Sequence, residues 1–109
     1  MEGSENLEHK TLTNVMNIIA YAGNAKSYTI EAIRACKTND FKDANEKLRL
    51  AEDALNLAHN SQTELMTQEA RGEPTEITLL TIHSQDHIMN AITFYDMAKE
   101  IIELFEIKR

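Results

Sequence analysis

Glycine occurs three times in this 109-residue chain, proline once, cysteine once and tryptophan not at all. So few glycines and prolines leave few places for the backbone to turn, which favours long uninterrupted elements. A single cysteine, Cys36, cannot close an intrachain disulfide, which fits a reducing compartment. Its neighbours Ile33 and Ala35 mark it as a small packed residue rather than a reactive thiol. Aromatic residues are scarce, whereas Ala, Leu, Ile, Glu, Lys and Asn abound, so the expected class is all-α. No apolar run approaches the ~20 residues that span a bilayer. Basic runs are missing too, and the net charge is −7. Binding to nucleic acid or to an anionic membrane rests on clustered Lys and Arg, so both are disfavoured. The opening Met1-Glu2-Gly3-Ser4-Glu5 is acidic where a signal peptide would be basic, and the expected location is the cytoplasm.

What is present reads as one domain with a modest core, 42% hydrophobic and 27% charged. Residues 1–10 are polar and expected to fray, leaving a single domain over 11–109. A first helix is predicted from about Leu12 to Lys37, with Leu12, Val15, Met16, Ile19, Ala22, Gly23, Ile30, Ile33 and Cys36 on its apolar stripe. Gly23 inside a helix costs up to about 1 kcal/mol relative to Ala, so close approach of another helix is the expected reason for it. Lys26, one turn on, reads as a snorkelling lysine, with a phosphate-facing role as the alternative.

Thr38-Asn39-Asp40 breaks the pattern. Asn39 suits the left-handed residue that ends a helix, and Asp40 suits the next N-cap. The second helix is predicted from Phe41 to Arg71, with Phe41, Ala44, Leu48, Ala51, Leu55, Ala58, Gln62, Leu65, Met66 and Ala70 as its seam. Gln62 interrupts that seam, with His59 and Thr63 beside it. Gly72 and Pro74 then end the helix, and Thr75 is the expected cap of a third helix over Glu76–Ile107. Short connections make successive helices antiparallel, so an up-down-up three-helix bundle follows. The third helix carries a second, largely apolar stripe, Leu79, Ile82, Asp86, Met89, Thr93, Met97, Ile101 and Leu104, that two partner helices cannot cover. Self-association through this helix is expected, and the pattern alone does not separate dimer from trimer.

Within that helix lie His83, Asp86, His87 and Asn90, spaced so that they share a face. Titratable groups in an apolar stripe require partners or a purpose. The residue types admit three readings. One is a polar interruption of an oligomer seam. The second is a metal site, although no HExxH pattern or paired carboxylate completes it. The third is covalent chemistry at a neutral imidazole, which can take a phosphoryl group and pass it on. His83 would be the acceptor, with Gln85 and His87 orienting it or contacting phosphoryl oxygens, and His59 and Gln62 as weaker candidates for the same task.

The segment His83-Ser84-Gln85-Asp86-His87-Ile88-Met89 resembles the His-Ala/Gly-Gln-Asp-His-Leu-Met signature of the lactose/cellobiose (chitobiose)-type IIA component of the bacterial phosphoenolpyruvate-dependent sugar phosphotransferase system. Ala22-Gly23-Asn24-Ala25-Lys26-Ser27, Asn39-Asp40-Phe41, Ala58-His59-x-x-Gln62-Thr63 and Glu69-Ala70-x-Gly72-Glu73 are similar to other segments of that family. Ser84, Ile88 and Asn90 depart from its commonest residues. The resemblance spans roughly residues 14 to 107. It implies a homotrimer of three-helix bundles and a phosphorylated His83. The donor would be the histidine-containing phosphocarrier protein and the acceptor a cysteine of the IIB component, with the membrane IIC component as an indirect partner. It also implies that Asp86 lies on the trimer axis, where three copies could hold one divalent cation, Mg2+ being the expected ion. The alternative is a non-enzymatic oligomeric helical interaction module, with or without a metal.

Overall fold

The computed structural model describes residues 2–108, with side chains from Asn6 onward. Three helices, α1 (Glu2–Lys37), α2 (Phe41–Ala70) and α3 (Leu79–Lys108), form an up-down-up bundle of 61 × 21 × 17 Å. The turns follow from residues able to leave the right-handed helical region. Asn39 has φ 61°. The Asn39 N–H donates to the Cys36 carbonyl and the Asp40 N–H to the Ala35 carbonyl, both at 3.0 Å, closing a Schellman end. Asp40 then caps α2 by accepting from the Asp43 N–H at 3.1 Å. Gly72, at φ 84°, repeats the device at the end of α2, with the Glu73 N–H donating to the Gln68 carbonyl at 3.1 Å.

Two helix starts differ from expectation. The first helix begins at Glu2, well before Leu12. Leu7 is half-buried and lines a cleft with Thr11, Gln68 and Pro74, and the Thr11 hydroxyl donates to Gln68 Oε1 at 3.2 Å. A stretch that reads as polar therefore still has something to pack on; the expected fraying of Met1 itself lies outside the described residues. The third helix begins at Leu79 rather than Glu76, and Thr78, not Thr75, is its cap. The Thr81 N–H donates to Thr78 Oγ1 at 3.1 Å, while the Thr78 N–H donates to Thr81 Oγ1 at 2.8 Å. This reciprocal pair satisfies two backbone donors at once, as a capping box does. The Thr75 hydroxyl is instead buried without a hydrogen-bond partner.

The core is narrow because it is built largely of alanine. Ala22, Ala25, Ala32, Ala44, Ala51, Ala58, Ala91 and Ala98 are wholly buried, interleaved with Val15, Ile18, Cys36, Ile88 and Ile102. Small side chains let helix axes approach closely. The buried face of α1 runs through Val15, Ile18, Ala22, Ala25, Thr29, Ala32 and Cys36, at heptad spacing. It is rotated from the expected stripe, and Leu12, Met16 and Ile30 are exposed. On α2, Ser61 and Gln68 are buried where Gln62 and Ala70 were expected, and Met66 is out. Gly23 also departs from expectation. A Cβ built there meets nothing within 4 Å, so no helix of this chain requires it to be small. Cys36 is buried as expected, and burial, with Glu106 adding to it, pushes its thiol up.

α1 packs against both other helices, whereas α2 and α3 touch least. One side of α3 is thus left open. Leu79, Ile82, Met89, Met97 and Leu104 are all about half exposed or more, the second stripe expected from sequence. No helix of the described residues is long and apolar enough to cross a membrane.

Candidate functional site

The Thr78 cap sets the start of α3, and α3 then carries His83 and His87 on one side, four residues apart. His83 is exposed and His87 half-buried. Their ring centroids are 5.0 Å apart and the planes meet at 75°, an edge-to-face pair. The His87 Nδ1 is buried without a hydrogen-bond partner. Burial holds the His87 pKa below its ordinary 6.5, and the charges of His83 and Lys26 act in the same direction. A neutral His87 therefore stands beside an open His83 at pH 7.

His83 also borders a shallow cleft of about 560 Å3 with Leu79, Leu80, Ile82 and Asp86. Asp86 is exposed. The cleft that it borders is otherwise lined by one imidazole and three aliphatic side chains. Among the described residues no group of three His, Cys, Asp or Glu could hold a metal ion.

Gln85 lies elsewhere. Two residues on from His83, it is turned by roughly 200° around the helix. It accepts a 2.8 Å hydrogen bond from Gln62 Nε2 on α2, and its own Nε2 donates weakly to the Ser84 hydroxyl at 3.4 Å. Both glutamines line a second cleft, of about 290 Å3, with Leu65, Met66, Thr75 and Ile77. His59, one turn before Gln62, is exposed, and no described hydrogen bond joins it to the histidine pair. The structure thus brings His83, Asp86 and His87 together and pairs Gln62 with Gln85 on another side of α3.

Three residues contribute in ways that the sequence did not assign to them. Ser84 is wholly buried, and its hydroxyl donates to the Thr81 carbonyl at 2.6 Å. This internal bond explains how a serine fits where the family signature has Ala or Gly. Thr78 was hidden by Thr75, since either could cap. Phe94 lies two turns beyond His87 on the same stripe and carries the Lys26 ammonium 5.1 Å from its ring centre; the i, i+7 spacing was the available signal.

An accessible histidine backed by a neutral one, on the open side of a helical bundle, is an arrangement that can carry a transferred group. Residues 13–106 match the lactose/cellobiose-specific IIA subunit family of the PTS system, and the chain belongs to that family. It is 52% identical over 92 residues to the lichenan-specific phosphotransferase enzyme IIA component of Bacillus subtilis (strain 168), covering 84% of each chain. The crystal structure of the PTS cellobiose-specific enzyme IIA from Bacillus anthracis superposes with a TM-score of 0.86 at 44% identity, covering 88% of each chain. The IIA(chitobiose) of Escherichia coli, solved in complex with HPr, superposes at 0.77 with 31% identity, over 91% of this chain and 97% of that one. The chain is therefore a IIA component, a phosphotransfer protein of sugar uptake.

Proposed function

We propose that His83 is the phosphoryl acceptor. It takes the group from the histidine-containing phosphocarrier protein and passes it to a cysteine of the IIB component. The observation that carries this reading is the accessibility of His83 beside a half-buried His87 and an open cleft. In the first step a neutral His83 ring nitrogen attacks phosphorus while the donor's N–P bond breaks, its electron pair returning to the donor ring. In the second, a thiolate forms an S–P bond and the His83 N–P bond breaks. The chain contributes positioning and electrostatics, and catalysis is shared with its partners. His87 orients the His83 ring. Gln62 and Gln85 hold α3 against α2 at this level, and His59 is the weakest candidate for any role.

The reading extends to a cytoplasmic homotrimer, assembled through the exposed stripe of α3, that serves a lactose/cellobiose-class sugar imported by a membrane IIC component. Among the described residues one chain gathers no group of three His, Cys, Asp or Glu, so a Mg2+ at Asp86 would need three copies to converge there. Without such an ion, converging carboxylates repel. Asp86→Leu should then strengthen assembly in sedimentation, and a monomeric variant would count against the axial placement.

Incubation with phosphoenolpyruvate and the two general phosphotransferase proteins should add one phosphoryl group per chain, labile in acid and stable in base. A folded His83→Ala chain should acquire none. Label retained on that variant overturns the assignment, and a wild-type oligomer that never takes label supports the interaction-module alternative.

A further inference from the structure

The acceptor reading leaves a charge unanswered. A phosphoryl group brings close to two negative charges to a chain whose net charge is already −7. The cleft beside His83 supplies no permanent cation, since Leu79, Leu80 and Ile82 are apolar and Asp86 is acidic, and the adjacent His87 is held neutral.

The nearest candidate comes from α1. His83, His87, Asn90 and Phe94 advance along α3 by four, three and four residues, so they form one stripe. Lys26 leans across from α1 onto the far end of that stripe, its ammonium 5.1 Å from the Phe94 ring centre. Along the helix axis Phe94 lies roughly 10 Å from His87 and roughly 16 Å from His83, and a phosphoryl group on His83 closes part of that gap. The flexible four-carbon arm of a lysine can move its charge through much of that span. Its path is open. Gly23 precedes Lys26 by one turn on the same face of α1, and because α1 and α3 run in the same direction it lies on the histidine side of Lys26. A Cβ placed on Gly23 would meet no neighbouring group within 4 Å. The charge of Lys26 is already felt at His87. No described ion pair holds Lys26; among the described residues its partner is the Phe94 ring.

We propose that Lys26 is the counter-cation of the phosphorylated state, resting on Phe94 when His83 is bare and swinging past Gly23 to the phosphoryl oxygens when His83 is modified. This deepens the acceptor reading and rests on it. The resting contact is exchangeable because a cation over a ring face is weaker than an ammonium against a phosphoryl dianion.

The test measures the equilibrium between donor and chain in both directions at low and moderate salt. Lys26→Gln should lower the phosphorylated fraction at equilibrium by about fivefold, equivalent to ~1 kcal/mol at 1.36 kcal/mol per tenfold. Lys26→Arg should restore it. The effect should shrink as salt screens the pair. Equal phosphorylation of wild type and Lys26→Gln overturns the proposal, as does a loss that Lys26→Arg does not repair. A second measurement needs no variant. In the wild-type chain the Lys26 ε-methylene proton resonances, displaced by the Phe94 ring, should return toward ordinary lysine values on phosphorylation, and resonances that stay put overturn the swing. A wild-type chain that takes no phosphoryl group sinks the acceptor reading itself, a result distinct from either of these.

Discussion

Gln62 on α2 donates a 2.8 Å hydrogen bond to the amide oxygen of Gln85 on α3. Among the described residues two further side-chain bonds join these helices, Asn45 to Glu106 and Tyr95 to Glu52, both at 3.2 Å and both farther along the bundle. The glutamine pair is the tie nearest the histidines, between the two helices that touch least. Its position ties α2 to α3 beside the site, so Gln62 is expected to act on the site's rigidity.

Gln62→Ala should therefore cost about 1 kcal/mol in chemical denaturation, the net worth of one part-buried hydrogen bond. Phosphoryl transfer to the chain should slow a few-fold while the final extent of labelling is retained. Complete loss of labelling on a folded variant would mean that Gln62 meets the phosphoryl group itself.

The burial of His87 has a consequence for stability. Its folded pKa is lowered from 6.5, so below that value the unfolded chain binds more protons than the folded one. Stability from this group is present above pH 6.5 and lost as pH falls from there through the folded value. Denaturation series at pH 7.5, 6.0 and 5.0 should show wild type weakening over this window more than His87→Gln. Parallel curves for the two proteins would contradict a proton-excluding His87.

Two threonines three residues apart should respond in opposite senses. Thr78 caps α3 reciprocally with Thr81, so Thr78→Ala should destabilise by ~1 kcal/mol. Thr75 buries a hydroxyl that finds no partner, so Thr75→Val should be neutral or stabilising. Thermal unfolding of the two variants distinguishes them, and a Thr75→Val chain weaker than Thr78→Ala would return the cap to Thr75.

Gly23 lies in mid-helix with open space where a side chain would project. Gly23→Ala should raise the stability of the chain by about 0.5–1 kcal/mol through backbone entropy alone. If the gap is the route by which Lys26 reaches a phosphorylated His83, the same variant should accept phosphate less completely despite being more stable. Gain of stability with unaltered labelling would confine Gly23 to a local backbone role.

The legibility of this protein varied with how local each signal was. Asn39, Asp40 and Gly72 announced the ends of helices because their effect is confined to a few backbone groups, and all three act as read. The surplus apolar stripe of α3 was visible for a similar reason, since periodicity alone shows how much surface a helix must cover. The face that α1 buries is not the one its largest apolar residues mark. Leu12, Met16 and Ile30 are larger than Ala25, Thr29 and Ala32, yet the smaller residues are inside. Hydrophobic size predicts burial only when room exists, and here close helix approach removed it. At the site, the pairing of His83 with His87 could be read from a spacing of four, whereas the divergence of Gln85 toward Gln62 could not, because it required the position of α2.

By itself the order of residues determined three helices, where they turn, and one segment whose histidines share a face, all consequences of interactions within a few residues. Only the packing of the helices decided that His87 is shielded and His83 open, that Thr78 rather than Thr75 starts α3, and that Lys26 reaches over to Phe94. Those outcomes depend on which surfaces meet across the bundle, and exclusion of water at a contact is a property of both surfaces together.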